Sequence, residues 1–350
     1  MSVFDHPEFD SHESLHYFHD ETTGLKAIVA IHSTALGPGA GGTRRWIYEN
    51  DADALTDVLR LSRGMTYKNA VAGLKLGGGK AVILASEDTP KSPELFHAFG
   101  RAVDSLGGRY VTAEDVGCSV DDMRYVREET EFVSGLPQSG KDAGGDPSPW
   151  TAIGCFDGIE AAVKARLDKD SLDGIRVAIQ GVGHVGQYLC KLLHDAGAVL
   201  VISDVNAEHV RQTVEAVPAT VVAPNELLFA DVAVLAPCAL GNILTSTTIP
   251  QIKARIIAGA ANNQLSTPAD GALLAEHDIL YAPDYVINAG GIISVAAEYY
   301  GNASEDDVRA DVGRIKSRLE DIFVQARETG RPTNELADEL ARSLVAAARQ

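Results

Sequence analysis

The chain has 350 residues, which at roughly 150 residues per domain points to two domains, each able to bury a core of its own. Hydrophobic residues make up 45% and charged residues 23%, the ordinary balance of a soluble globular protein. Acidic residues outnumber basic ones by 49 to 30, and the resulting charge of −19 repels phosphate backbones and anionic lipid, which disfavours nucleic-acid and membrane-surface partners.

The first residues, Met1-Ser2-Val3-Phe4-Asp5-His6, have neither the basic start nor the apolar run of a signal peptide. The longest uncharged stretch, 232–252, holds Pro237, Asn242 and Pro250 and does not read as a membrane span. Cys118, Cys155, Cys190 and Cys238 are scattered with no C-x-x-C pair, so they read as reduced thiols. A cytoplasmic protein is expected.

In chain order, residues 25–32 (LKAIVAIH) are strand-like and 19–24 supply the turn of a hairpin. A glycine-rich segment at 37–42 precedes a helix that opens near Asp51, with Leu55, Val58, Leu59 and Ser62 at helical spacing. Residues 80–84 form a strand. Ser92-Pro93 then reads as an N-cap and first-turn proline ahead of Leu95, Phe96, Phe99, Val103 and Leu106. A short strand at 110–113 and a helix at 120–129 follow. The Gly- and Pro-rich segment 134–149 has no apolar periodicity and suits an inter-domain connection. Beyond it, strands and helices alternate at 176–180, 185–195, 200–203, 207–217, 232–236 and 255–259, the pattern of a parallel sheet covered on both faces. From Glu305 the chain is helical and amphipathic to its end, where Val308, Val312, Ile315, Leu319, Ile322 and Phe323 form a core or interface stripe.

Gly181-Val182-Gly183-His184-Val185-Gly186 fits G-x-G-x-x-G, placed between the strand 176–180 and a helix. The first glycine permits the tight turn, the second lets a pyrophosphate approach the backbone, and the third lets helix pack on strand. The helix N-terminus then offers unpaired N–H groups to phosphate. Asp204 closes the next strand, 23 residues after Gly181. Its carboxylate can accept hydrogen bonds from both ribose hydroxyls and would repel a 2′-phosphate, which favours NAD over NADP. His184 reads as a solvent-facing position rather than a catalyst.

The N-terminal half carries two lysines twelve residues apart, in Met65-Thr66-Tyr67-Lys68 and Gly77-Gly78-Gly79-Lys80, followed by Thr112-Ala113-Glu114-Asp115-Val116-Gly117 at a strand end. Paired lysines suit an anionic small substrate: one can hold a carboxylate. The other, desolvated beside a second cation, can serve as a base.

These segments, with Gly37-Pro38, Gly41-Gly42-Thr43-Arg44, Pro147-Ser148-Pro149, Ala236-Pro237-Cys238-Ala239, the GAANNQ run at 259–264 and the YAPDYVINAGG run at 281–291, follow one another in order over nearly the whole chain. In them the chain resembles the amino acid dehydrogenase superfamily (Glu/Leu/Phe/Val dehydrogenases), in its leucine/valine/phenylalanine branch.

The resemblance implies an α/β protein of two domains. A substrate-binding and oligomerisation domain would comprise 1–136 plus about 326–350, and a Rossmann-type NAD-binding domain 145–325. It implies a homo-oligomer, and a reversible oxidative deamination of an L-amino acid with NAD⁺ and water to the 2-oxo acid, ammonium and NADH. It casts Lys80 as the catalytic lysine that activates the attacking water, Asp115 as its proton-shuttling partner, and Lys68 as the partner of the α-carboxylate, helped by Asn262 or Asn263. Gly41, Gly42, Gly77, Gly78, Ala40, Met65, Ala113, Ile292 and Val295 would line the substrate. Thr151 and Asn262 fall where this family meets the nicotinamide. Gly181, Gly183, His184, Val185, Gly186, Asp204, Val205, Cys238, Ala239, Ala260 and Asn288 would line the rest of the cofactor.

Glutamate-specific relatives have a lysine where this chain has Ala40, and burying a side-chain carboxylate without a cation is costly, so glutamate is disfavoured. Ala113, Ile292 and Val295 resemble the walls of leucine- and valine-type enzymes. Ala40, where leucine-type members usually carry Leu, and Trp150, where a small residue is usual, keep open an aromatic or unusual amino acid. A non-catalytic nucleotide-binding relative is the other alternative; the presence of Lys68, Lys80 and Asp115 argues against it. His12-Glu13-Ser14-Leu15-His16 fits H-E-x-x-H, but in a segment leading into a strand. Residues four apart there stand ~13 Å from each other, too far to share a zinc ion. No metal is expected.

Overall fold

The computed structural model describes residues 2–86, 89–136, 146–239, 241–301 and 304–349. Most of the expected connection at 134–149 lies outside these residues. The chain divides into two compact units: Met1–Gly145 with Val295–Ser304 and Ala341–Gln350, and Asp146–Ser294 with Glu305–Leu340.

The first unit contains β1 (Ser14–Asp20), β2 (Leu25–Ser33), β3 (Gly39–Ala40), β4 (Thr43–Trp46), α1 (Asp51–Ala72), β5 (Gly77–Leu84), α2 (Pro93–Asp104), β6 (Tyr110–Val111) and α3 (Val120–Arg127). β1 and β2 form the expected antiparallel hairpin, closed by Gly24 at φ +72°. β2 pairs antiparallel with β5. On its other side β5 meets β3 and β4 in a single parallel register: Gly39 faces Gly77, Ala40 faces Gly78 and Thr43 faces Ala81. Gly41 and Gly42 therefore lie opposite Gly79 and Lys80. β6 extends the sheet beyond β3, also parallel.

Alternation along β2 separates two apolar layers. Leu25, Ala27, Val29 and Ile31 pack with Phe96 and Phe99 of α2 and Met123 and Val126 of α3. Ile28 and Ala30 pack with Ala54 and Val58 of α1. Local chemistry sets the helix ends: Asn50 caps α1 and Gly73 at φ +73° stops it, Ser92 and Pro93 start α2, and a reciprocal Ser119–Asp122 capping box starts α3.

The second unit begins with α4 (Ser148–Leu167) and continues through β7 (Arg176–Gln180), α5 (His184–Asp195), β8 (Val199–Ser203), α6 (Ala207–Ala216), β9 (Ala219–Val221), α7 (Pro224–Leu227), β10 (Val234–Pro237), β11 (Ile256–Ile257), α8 (Ala269–Glu276), β12 (Leu280–Tyr281) and α9 (Asp284–Ile287). Its sheet is parallel throughout, in the order β12-β11-β10-β7-β8-β9. The chain winds outward from β7 through β9 and then returns to β10, so strand order reverses between β7 and β10. Ligands of doubly wound sheets bind at the carboxyl ends of strands beside such a reversal.

Three helices complete the chain: α10 (Gly290–Tyr300), α11 (Glu305–Thr329) and α12 (Thr333–Ala348). The helical tail is broken once, by Gly330 at φ +70° and by Pro332, which lacks an N–H. The units also part differently from the boundaries expected at 145–325 and about 326. Residues 295–304 cluster with the first unit because Ala296 packs with Ala40, Leu76 and Val111, and the Tyr300 hydroxyl donates to the Lys75 carbonyl at 2.6 Å. α12 starts in the second unit, where Thr333 donates to the Tyr281 carbonyl and the Tyr285 hydroxyl to Asp338, both at 2.7 Å. It ends in the first, where Arg342 donates to the Tyr67 hydroxyl at 2.9 Å. No helix among the described residues is long and apolar enough to cross a membrane.

Phe96 is fully buried between α2 and the sheet. Phe96→Ala should cost about 3–5 kcal/mol in urea denaturation; a loss near zero would place this side chain outside the core that carries the sheet.

Candidate active site

The chemistry of the first unit is built on β5, whose first three residues carry no side chain. α1 lies directly against it. A Cβ at Gly78 would meet the Thr66 hydroxyl and the Thr66 backbone nitrogen, so glycine is what lets helix and strand touch. Polar groups on the buried face of α1 hold that contact: the Asn69 amide donates to the Gly77 carbonyl at 2.6 Å. On the opposite side the Tyr110 hydroxyl donates to the Gly41 carbonyl at 2.6 Å, and its ring fills the space a Cβ on Gly79 would need.

Lys80 follows this run and is 6% exposed. Its Nζ lies 2.8 Å from Asp115 Oδ2. Asp115 stands just beyond β6, on the segment that crosses Gly42, where a Cβ would strike the Glu114 carbonyl and come within 3.0 Å of the Asp115 Cβ. Burial pushes the Asp115 carboxyl up, but Lys80, then Arg44, and the Val116 N–H together hold it below the ordinary carboxylate range. Asp115 is therefore an anion against a buried ammonium.

Lys68 lies one turn beyond Met65 on α1, and both are half-buried. The Met65 Cγ stands at 3.0 Å from where a Cβ of Gly41 would be. Ala40 is buried among Leu76, Val111 and Ala296, with Phe132 and Tyr299 packed against them. Ala113 is half-buried, and its carbonyl accepts from the Thr43 N–H at 2.8 Å. Val295 is half-buried on the part of α10 that belongs to this unit, and Ile292 is half-buried on the part that belongs to the other. His12 of the H-E-x-x-H pattern is buried, its Nε2 at 3.1 Å from the Leu59 carbonyl and the Ser62 hydroxyl.

In the second unit, the turn from β7 into α5 runs through Gly181 at φ +90°, packed against Ala239. Gly183 is the N-cap of α5 and supplies no side-chain cap, and open space surrounds the position of its missing Cβ. The first N–H groups of α5 thus lack a side-chain partner at the cap. A Cβ on Gly186 would collide with the Gly181 carbonyl. His184 is exposed and Val185 half-buried at the start of α5. Asp204 ends β8, accepting from the Val182 and Asn206 N–H groups, each at 2.8 Å. Burial works against its charge, yet these bonds and His209 keep its carboxyl below the ordinary range. Val205 beside it is 91% exposed.

Cys238 continues β10, donating its N–H to the Gln180 carbonyl at 2.7 Å. The Asn288 amide donates to the Ala260 carbonyl at 3.1 Å and to Asn262 Oδ1 at 2.8 Å. Asn263 adopts φ +51° and accepts from the Asn242 N–H at 2.6 Å. Buried Gln264 holds this loop by donating to the Gly259 and Ala261 carbonyls, both at 2.9 Å. Thr151, in the first turn of α4, donates to the Pro147 carbonyl at 3.1 Å, and Gly291 leaves room for its hydroxyl. Trp150 is half-buried, and its carbonyl presses on Gly290.

Four supporting residues were not singled out from the sequence. Asn69 is a buried amide directly after Met65-Thr66-Tyr67-Lys68, Gln264 is the buried amide that ends the 259–264 run, Arg44 is the arginine of Gly41-Gly42-Thr43-Arg44, and Tyr110 is an aromatic in a short strand. Only Arg44 carried a readable signal, as a charged residue two positions after a glycine pair.

A glycine turn at a strand-order reversal with an acidic strand end is the platform of a dinucleotide-dependent dehydrogenase. Comparison with known proteins identifies the class of substrate. Residues 12–132 match the family described as "Glu/Leu/Phe/Val dehydrogenase, dimerisation domain". Residues 146–208 and 202–349 match "Glutamate/Leucine/Phenylalanine/Valine dehydrogenase". The leucine dehydrogenase of Geobacillus stearothermophilus is 47% identical, covering 99% of this chain and 94% of that protein. The valine dehydrogenase of Streptomyces virginiae is 45% identical over 98% of this chain and 96% of its own length. The crystal structure of L-tryptophan dehydrogenase from Nostoc punctiforme superposes with a TM-score of 0.86 at 45% identity, covering 97% of each chain. The chain belongs to the Glu/Leu/Phe/Val dehydrogenase family and is an amino acid dehydrogenase.

Gly42→Ala tests the close approach on which the lysine–aspartate pair rests. The methyl would push the 114–115 segment away, and a displacement of about 1 Å costs on the order of 100-fold in turnover. Unchanged kcat would mean that the position of Asp115 is not set by this contact.

Proposed function

We propose that this protein catalyses the reversible oxidative deamination of branched-chain L-amino acids with NAD⁺. One turnover converts amino acid, NAD⁺ and water into 2-oxo acid, ammonium, NADH and a proton. The reading of the chemistry rests on the Lys80–Asp115 contact at 2.8 Å. The reading of the substrate class rests on the apolar side chains packed around Ala40, among which a side-chain carboxylate would be costly to bury.

Lys68 pairs with the substrate α-carboxylate, and the Asn262 or Asn263 amide assists. Gly41, Gly42, Gly77 and Gly78 lie along the bound amino acid, with Met65, Ala113, Ile292 and Val295 beside its side chain. Lys80 passes a proton to Asp115, and its freed amine then takes a proton from the water that attacks the imine carbon and returns it as the amine leaves, after which Asp115 gives its proton back. The Lys80–Asp115 pair is a unit whose protonation is shared.

The residues of the β7–α5 turn fit a dinucleotide. The α5 N-terminus has no side-chain cap, Gly183 leaves space above it, and Asp204 is an anion at the strand end. Gly181, Gly183, His184, Val185 and Gly186 would hold the pyrophosphate, Asp204 and Val205 the adenosine ribose, and Cys238, Ala239, Ala260, Asn288, Asn262 and Thr151 the nicotinamide end. When bound, NAD⁺ accepts the hydride from the substrate α-carbon. An acidic ribose partner repels a 2′-phosphate, which supports NAD over NADP.

The smallness of Ala40, with Phe132 and Tyr299 close by, favours a second reading in which the side-chain pocket takes an aromatic amino acid. The match of residues 12–132 to a dimerisation domain supports a homo-oligomer assembled through that part of the chain. Four thiols without disulfide partners support a cytoplasmic setting.

NADH formation at alkaline pH with each common L-amino acid tests these readings. Leucine, valine and isoleucine should be the best substrates, because one methylene changes discrimination by only about 1–3 kcal/mol. A strong preference for phenylalanine or tryptophan would establish the second reading, and silence with every amino acid would reject both.

Lys80→Ala should abolish turnover while leaving NADH fluorescence titrations unchanged, and near-normal turnover would remove Lys80 from the chemistry. Asp204→Ala should weaken discrimination against NADP⁺, read as the ratio of kcat/KM values. An unchanged ratio would assign the ribose to another residue.

A further inference from the structure

Asp115 has a second positive neighbour. Arg44, on β4, places its Nε 3.4 Å from Asp115 Oδ2, the same oxygen that Lys80 approaches. The other end of the guanidinium is fixed: its NH1 donates to both oxygens of Asp57 on α1, at 3.2 and 2.9 Å. Asp57 in turn accepts the Tyr48 hydroxyl at 2.7 Å. All four side chains of Arg44, Asp57, Asp115 and Lys80 are less than one-third exposed. The result is a line of alternating charge, Lys80–Asp115–Arg44–Asp57, closed by a phenol.

We propose that Arg44 is a positioning residue of the deamination: it holds the Asp115 carboxylate in place beside Lys80 and is itself aimed by Asp57 and Tyr48. The proposal rests on the assignment of Lys80 and Asp115 to proton transfer. Arginine suits the task because its NH1 donates to Asp57 while its Nε stays at ion-pair distance from Asp115, whereas a lysine ammonium is a single point charge. Burial works against the charge of Arg44, and Asp115 and Asp57 more than offset it, so the side chain stays cationic. Tyr48 stays a hydroxyl donor, because burial and then its bond to Asp57 push its proton loss far up.

Asp115 also faces Tyr110 from β6 and Cys118 from its own loop. Burial keeps both protonated, with the Cys118 thiol pushed up to about 12, so neither supplies charge at working pH. Lys80 and Arg44 both face the carboxylate as cations, and removing Arg44 withdraws one positive charge. The proton is then retained on Asp115 to higher pH, and the acidic limb shown by the Lys80–Asp115 pair moves up.

The test compares pH profiles of kcat and KM for the wild type, Arg44→Gln and Arg44→Lys, with thermal unfolding to establish that each variant is folded. Arg44→Gln should move the acidic limb up by about one pH unit, the low end of the effect of an adjacent arginine on a carboxylate. Its kcat should fall while KM for the amino acid changes little. Arg44→Lys keeps the charge but loses the fork, and should lie between the two. It also decides the question alone if the glutamine variant does not fold. Profiles of both variants that overlay the wild type would overturn the role of Arg44 while leaving the dehydrogenase reading intact. A wild-type enzyme without amino acid turnover would instead remove that reading, and the role of Arg44 with it.

Discussion

A buried ammonium is tolerated only beside a fixed anion, and this requirement organises the first unit around the 2.8 Å contact between Lys80 and Asp115. Lys80 lies in the middle strand of a sheet, with β2 on one side and β4 on the other. Asp115 can reach it only because the chain around Gly42 has no side chain to block the 114–115 segment. The glycines before Lys80 extend the same logic: Gly78 lets the backbone of α1, the helix that carries Lys68, lie against the strand, while Gly77 packs on Ser33 and Gly37 and Gly79 on Tyr110. Close packing, rather than flexibility, is what these glycines supply.

The glycines of the second unit do a different job. Gly181 turns the chain where an L side chain is rarely accommodated, and Gly183 stands over empty space rather than over protein. The missing side chain of Gly183 would meet nothing, so the uncapped start of this 12-residue helix is left open. Asp204 ends the next strand with both of its oxygens oriented by backbone N–H groups.

Much of this was legible in the sequence, and the reasons are local. The strand, glycine turn, helix and acidic residue from Arg176 to Asp204 are consecutive, so spacing alone fixes their arrangement. Caps such as Ser92-Pro93 likewise act within a turn. What the sequence hid depends on long-range packing. Arg44, Asp57 and Asp115 meet only after β4, α1 and the post-β6 segment assemble, and no periodicity marks them. Residues 295–304 belong to the first unit because Ala296 packs with residues far earlier in the chain and Tyr300 bonds to Lys75, 225 positions before it. The single register shared by β3 and β4 is equally silent, since strands of two and four residues have too little pattern to read. The break at Gly330 and Pro332 was readable, and the amphipathic stripe on either side concealed it.

The claim that most directly supports the whole account is that Asp115 is held as an anion by its two cationic neighbours. A carbon-13 NMR titration of aspartate carboxyls, with Asp115 assigned by comparison with Asp115→Asn, measures this without reference to substrate. The account predicts a transition below the ordinary aspartate range. The stabilisation from the pair would then be present at neutral pH and lost as pH falls through that transition. A transition at or above the ordinary value would mean that burial outweighs Lys80 and Arg44, and would contradict the ion pair on which the site is built.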